Sequence, residues 1–112
     1  MPVYIPQKGD FISVTFDPQS GHEQKGRRPA LVISNTLFNQ GTGLALVCPI
    51  TNTNRNYPFH LPVPPKVSAV TGVVMVDQAN SIDFKTRKAK FIAKAPPDLL
   101  EDVLALLDAI VK

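Results

Sequence analysis

Gly21-His22-Glu23-Gln24-Lys25-Gly26-Arg27-Arg28-Pro29 lies between two strand-like runs, Phe11 to Phe16 and Ala30 to Ile33. The first run alternates: Ile12, Val14 and Phe16 share one face, and Phe11, Ser13 and Thr15 the other. That is the period-2 pattern of a strand with one buried face. The second run is continuously apolar, as strands covered on both faces are. A loop between strands normally holds turn residues and little chemistry. This one holds a carboxylate, three cations, an imidazole and an amide. Gly21 and Gly26 allow a sharp turn or a close approach to a ligand. Pro29 fixes its own φ and biases Arg28 towards an extended conformation. Arg28 therefore stands where a loop stiffens into a strand, a position suited to holding a guanidinium still.

Outward from this stretch the chain continues in short strands. Leu44 to Ile50 is a second continuous apolar run. Asn35 to Gly43, with its Asn, Gly and Thr, reads as a long hairpin loop. Thr51 to Asn56 is polar and turn-rich, and Tyr57 to Val63 reads as a short edge strand limited by prolines. Pro64-Pro65-Lys66 forms a rigid loop, and Gly72 to Val76 and Ala89 to Ala93 supply two further strands. After Pro96-Pro97 the period changes. Leu99, Leu100, Val103, Leu104, Leu107, Ile110 and Val111 fall on one face at helical spacing. Pro97 suits the first helical position, and Asp98, Glu101 and Asp102 suit the positive N-terminal end. The fold class is mainly β (α+β): a small, strongly bent antiparallel barrel with a C-terminal helix packed on it. The residue pattern leaves the topology open.

The 112 residues make one domain, 1–112, able to bury roughly two-thirds of its unfolded surface without staples. The single cysteine excludes an intramolecular disulfide. Cys48 lies in an apolar run with nothing beside it to activate a thiolate, so it reads as an inert buried thiol. No leader-like or long apolar segment is present, which predicts a soluble, cytoplasmic protein. Residues 96–112 carry one cation against four acids, and residues 1–95 eleven cations against five acids. A basic body suits a polyanion such as nucleic acid, and equally suits mere solubility. His22 and His60 stand far apart with one cysteine, which is no zinc spacing, so neither metal nor cofactor is expected.

Gly9-Asp10 opening a strand, Phe16-Asp17-Pro18, and Gly-x-Glu-Gln-x-Gly-x-Arg-Pro leading into Ala30-Leu31-Val32-Ile33-Ser34 resemble the start of a MazF-type toxin. The resemblance to the MazF/PemK/ChpB family of type II toxin–antitoxin systems continues through Pro49-Ile50-Thr51-Asn52, Tyr57-Pro58-Phe59, Asp77-Gln78 and Ser81-Ile82-Asp83-Phe84. It covers nearly the whole chain. It implies an SH3-like barrel, a homodimer, and an endoribonuclease (mRNA interferase) that cuts single-stranded RNA without metal or ribosome. It also implies a cognate MazE-like antitoxin with an acidic flexible tail.

RNA can be cut without metal because it carries its own nucleophile. A base removes the 2′-OH proton, the oxygen attacks phosphorus in line, and an acid protonates the leaving 5′-oxygen. Positive charge must meet the charge that builds on phosphorus. Arg28 has the planar fork for that role, although alone it also reads as a surface arginine or as the partner of Glu23. Thr51 follows a strand and alone reads as a turn threonine; the resemblance makes the pair of them catalytic. Glu23 is either a general base or an orienting partner for Arg28, whose charge would make it a poor base. His22 stands where related toxins often have serine; it reads as a solvated loop histidine or an RNA-binding one, with acid–base work as the alternative because imidazole ionises near neutral pH. Gln24, Lys25, Arg27 and Arg55 suit phosphates, while Phe16, Asn56 and Gln78 suit bases. His60 reads as structural. Asn80 departs from the family pattern, since some relatives carry a cation in this segment; the departure puts a phosphate contact there in question and bears on the sequence preference. Two other readings stay open: a toxin of the same fold that binds a protein such as gyrase without cutting RNA, and a plain RNA-binding barrel.

Overall fold

The computed structural model describes residues 3–15, 26–53 and 56–112. Within them β1 (Asp10–Thr15) pairs antiparallel with β2 (Arg27–Val32) on one edge and with β7 (Lys90–Lys94) on the other. β3 (Leu44–Thr51) pairs with β2 along one edge. Its other edge is shared in succession by β6 (Asn80–Asp83) and β5 (Val73–Met75), and β4 (His60–Pro62) pairs with β5. The strand order is β4-β5-β3-β2-β1-β7, with β6 beside β3. The sheet curls as a barrel does but does not close, since no pairing joins β4 to β7 among the described residues.

Both faces of the sheet are covered. Phe11, Leu31, Cys48, Ile50, Val74, Leu99 and Val103 pack on one side. Ile12, Val14, Ala30, Val32, Val47, Ile82 and Phe84 pack on the other. Successive residues of β1 therefore enter different clusters, and Phe11 and Ile12 are both fully buried. This corrects the expectation of one buried face for that strand. Alternation with Ser13 suggested a wet face, but the C-terminal helix lies over it at Phe11. The Gly9-Asp10 opening is held by its carboxylate, which accepts from the Tyr4 hydroxyl, the Gln7 N–H and the Lys94 ammonium. Burial first, and the Asp10 carboxylate second, push the Tyr4 hydroxyl well above its ordinary range.

Three more expectations are corrected. The supposed hairpin loop from Asn35 to Gly43 is a helix, α1 (Thr36–Thr42). Its turn-like residues are caps. Asn35 accepts from the Phe38 N–H at 2.8 Å, and Gly43, at φ 75°, closes the end on the Asn39 carbonyl. Buried Asn39 then ties the helix to the Pro6 carbonyl at 2.7 Å. β6 forms where Ile82 is the lone apolar residue and no strand was read, because β3 offers it an open edge. The helix α2 (Pro97–Val111) begins at Pro97 as expected, with no side-chain cap. Leu99 and Val103 are buried, but Ile110 and Val111 are 39% and 72% exposed, so the apolar stripe runs past the core in its last turn.

Candidate active site

Arg28 is the second residue of β2, opposite Val14 of β1, and Pro29 holds it extended. Thr51 is the last residue of β3 and pairs with Val73. The β2–β3 register is Ala30↔Pro49, Leu31↔Cys48, Val32↔Val47. Continued by two residues, this register sets Arg28 opposite Thr51. Residues facing each other across an antiparallel pair point to the same side of the sheet. Arg28, Ala30, Val47 and Thr51 indeed line one cleft of about 380 Å³. Its floor is the second hydrophobic cluster, through Val14, Ala30, Val47 and Ile82. The polar groups stand over that floor: Arg28, Thr51, Asn80 and Arg87.

The Thr51 hydroxyl accepts from the Thr53 N–H at 3.2 Å, which orients the oxygen and leaves its proton to donate. Gly72 packs directly against the Thr51 carbonyl at φ +122°; a Cβ there would stand 2.4 Å from that oxygen. A second cleft of about 410 Å³ shares Thr51 and Met75 with the first and adds Tyr57, His60, Asp77 and Gln78. The two form one groove past the end of β3.

Of the residues singled out from sequence, the structure brings Arg28, Thr51 and Gln78 to this groove. It does not bring Arg27. The side chain next to Arg28 on a strand points the other way, and the Arg27 guanidinium donates to the Ser13 hydroxyl (2.8 Å), the Ser13 carbonyl (2.7 Å) and the Lys88 carbonyl (2.8 Å). Asn56 is exposed at φ 56° and lines neither cleft. Phe16, His22, Glu23, Gln24, Lys25 and Arg55 lie outside the described residues.

Several lining residues were not singled out as site residues, among them Arg87, Tyr57 and Asp77. Arg87 brings a cation into the cleft where Asn80 has none, and donates to the Thr15 carbonyl at 3.3 Å. Its signal was the basic run Lys85-Thr86-Arg87-Lys88, which sequence cannot tell from a solvated turn. Asp83 shapes that turn by accepting from the Lys85 and Thr86 N–H groups, and the Thr86 N–H holds its carboxyl below the usual range. Tyr57 lies against the His60 ring, with centroids 5.1 Å apart. Cys48 is fully buried, and burial first and Asp77 second push its thiol up to about 12. Among the described residues no helix is long and apolar enough to cross a membrane.

A model of the PemK-like, MazF-like toxins of type II toxin–antitoxin systems matches residues 7–111. The chain belongs to the PemK/MazF toxin family. It is 44% identical to the Escherichia coli endoribonuclease toxin ChpB over 110 residues, 95% of this chain and 94% of that one. It is 35% identical to the Escherichia coli endoribonuclease toxin MazF over 108 residues, 96% of each. Against a crystal structure of MazE–MazF from Deinococcus radiodurans the TM-score is 0.87, at 39% identity, covering 96% of this chain and 97% of that one. The open, curled sheet with its C-terminal helix is thus a MazF fold.

Proposed function

We propose that this PemK/MazF-family protein is the toxin of a toxin–antitoxin pair and an endoribonuclease that cuts single-stranded RNA at a short sequence in the cytoplasm. The placement of Arg28 and Thr51 on one cleft carries this reading. The family and its endoribonuclease relatives support it.

In the proposed reaction the substrate supplies the nucleophile. The 2′-OH loses its proton and its oxygen bonds to the adjacent phosphorus. The bond to the 5′-oxygen breaks, and that oxygen takes a proton. The products are a 2′,3′-cyclic phosphate and a 5′-OH, and no metal is required. Arg28 meets the developing charge on the phosphoryl oxygens with a fixed fork, where a donor is worth most. The Thr51 hydroxyl donates to the same group, and Glu23 or His22 handles a proton. Arg87 adds a second cation and Gln78 an amide for base edges. A toxin that only bound a protein target would have no use for Arg28 and Thr51 on one cleft. The protein acts as a homodimer and is inhibited by a MazE-like antitoxin whose acidic tail occupies the same basic groove.

The test is incubation of single-stranded RNA with purified protein in excess EDTA, followed by analysis of the ends. Cutting that leaves 5′-OH and cyclic phosphate ends is expected. Activity that vanishes with EDTA and returns with magnesium overturns the mechanism.

A further inference from the structure

The second cleft is lined by a histidine whose side chain is largely buried. The His60 side chain is only 8% exposed, and its Nε2 lies 3.1 Å from Asp77 Oδ1. Its Nδ1 is buried with no hydrogen-bond partner among the described residues. Asp77 Oδ1 only accepts, so the proton between the two groups sits on Nε2 and His60 donates through it to Asp77. Nδ1 is then the ring nitrogen left without a partner among the described residues. An unsatisfied buried group at a cleft wall calls for a functional explanation.

The bond fixes one oxygen of Asp77. That side chain is 30% exposed and forms the cleft wall beside Gln78. A carboxylate in a groove for RNA repels phosphate and accepts from donors, and the RNA donors that distinguish one base from another are the N–H groups of the bases. The exocyclic amines of adenine, cytosine and guanine are such donors; uracil has only N3–H on its open Watson–Crick edge, set between two carbonyl oxygens that a carboxylate repels. Half-exposed Tyr57, resting on the His60 ring, offers a stacking face in the same cleft.

Resting on the endoribonuclease reading, we propose that His60 is a positioning residue that holds Asp77 as the acceptor for an amino-bearing base next to the cut bond. Uracil is excluded at that one position, and the exclusion depends on the His60–Asp77 bond rather than on Asp77 alone.

The test uses full-length wild type, His60→Leu and His60→Gln on a randomised single-stranded RNA pool, with the new 5′ ends sequenced. Wild type is expected to show one position by the cut that admits amino bases and disfavours uracil roughly ten-fold or more. His60→Leu keeps the ring's bulk apolar but donates nothing; that position should relax towards uracil while the others hold. His60→Gln, which can still donate an N–H to Asp77, should restore the preference. Unchanged selectivity in His60→Leu, or an equal loss of cutting at every sequence, overturns the positioning role and leaves the endoribonuclease reading intact. Wild type that cuts no RNA overturns that reading and this inference with it.

Discussion

Gly72→Ala tests how tightly the Thr51 end of β3 is held. The new Cβ would lie 2.4 Å from the Thr51 carbonyl oxygen, 2.9 Å from its carbon and 3.2 Å from Asn52 Oδ1. Two of those neighbours are backbone and cannot rotate away. Gly72 cannot easily retreat either, because its carbonyl accepts from the Val63 N–H at 2.9 Å and the next residue pairs with Thr51. Relief requires the two segments to part by about 1 Å, to reach an ordinary contact distance. Left-handed backbone at a non-glycine residue adds about 1–3 kcal/mol of strain. With the separation of β3 from β5, the total loss should be about 3 kcal/mol, or roughly a 12 °C fall in Tm for a chain of this size. Misplacing a catalytic group by about 1 Å costs on the order of a hundred-fold in rate. Cleavage of a fluorogenic RNA, measured well below the variant's Tm, should therefore drop about that much. Gly43→Ala is the matched control: φ is +75°, but no atom lies within 4 Å of the added Cβ. It should lose about 1 kcal/mol and keep its rate. If Gly72→Ala loses stability but cuts at the wild-type rate, the carbonyl contact does not set the hydroxyl. Wild-type Tm and rate together would refute the steric argument.

Arg28→Ala and Thr51→Ala should each lower kcat about a hundred- to thousand-fold with Tm changed by only a few degrees, and Arg28→Lys should rescue little; near wild-type cutting by Arg28→Ala would remove it from the chemistry. Arg27→Met should behave oppositely, losing about 2–4 kcal/mol in urea unfolding with its ties to Ser13 and Lys88, while the rate per folded molecule changes less than ten-fold. Native Cys48, buried and with its thiol raised to about 12, should resist iodoacetamide at pH 8 and react within minutes once denatured, as mass spectrometry would show.

Local chemistry was legible in the sequence where one residue decides it. Pro29 dictates the extended Arg28, and Pro97 starts α2 where it stands. What escaped depends on partners distant in the chain. Arg28 and Thr51 could each be suspected, but their meeting on one cleft depends on how β2 and β3 pair, which no local pattern contains. β6 owes its existence to the free edge of β3 rather than to its own residues. α1 was misread because Asn and Gly serve turns and helix caps alike, and only the Asn35 and Gly43 dihedrals separate the two. His60 was read as structural; its partner Asp77 is seventeen residues away in the chain, so its place in the groove was invisible. Arg27 and Arg28 look alike in sequence, and period 2 sends one to a structural tie and the other to the cleft.

Since β3 receives β2 on one edge and β5 and β6 on the other, its final residue has no fixed position until strands from both sides of the chain have docked. Behind it, Cys48 and Ile50 share a cluster with Leu99 and Val103 of the last helix. A chain still emerging during synthesis thus contains Arg28 and Thr51 without the finished cleft they line: its remaining walls arrive only with the later strands. Fragments released by proteolysis should be equally harmless to RNA, so nuclease activity in a preparation counts finished, folded molecules and nothing less.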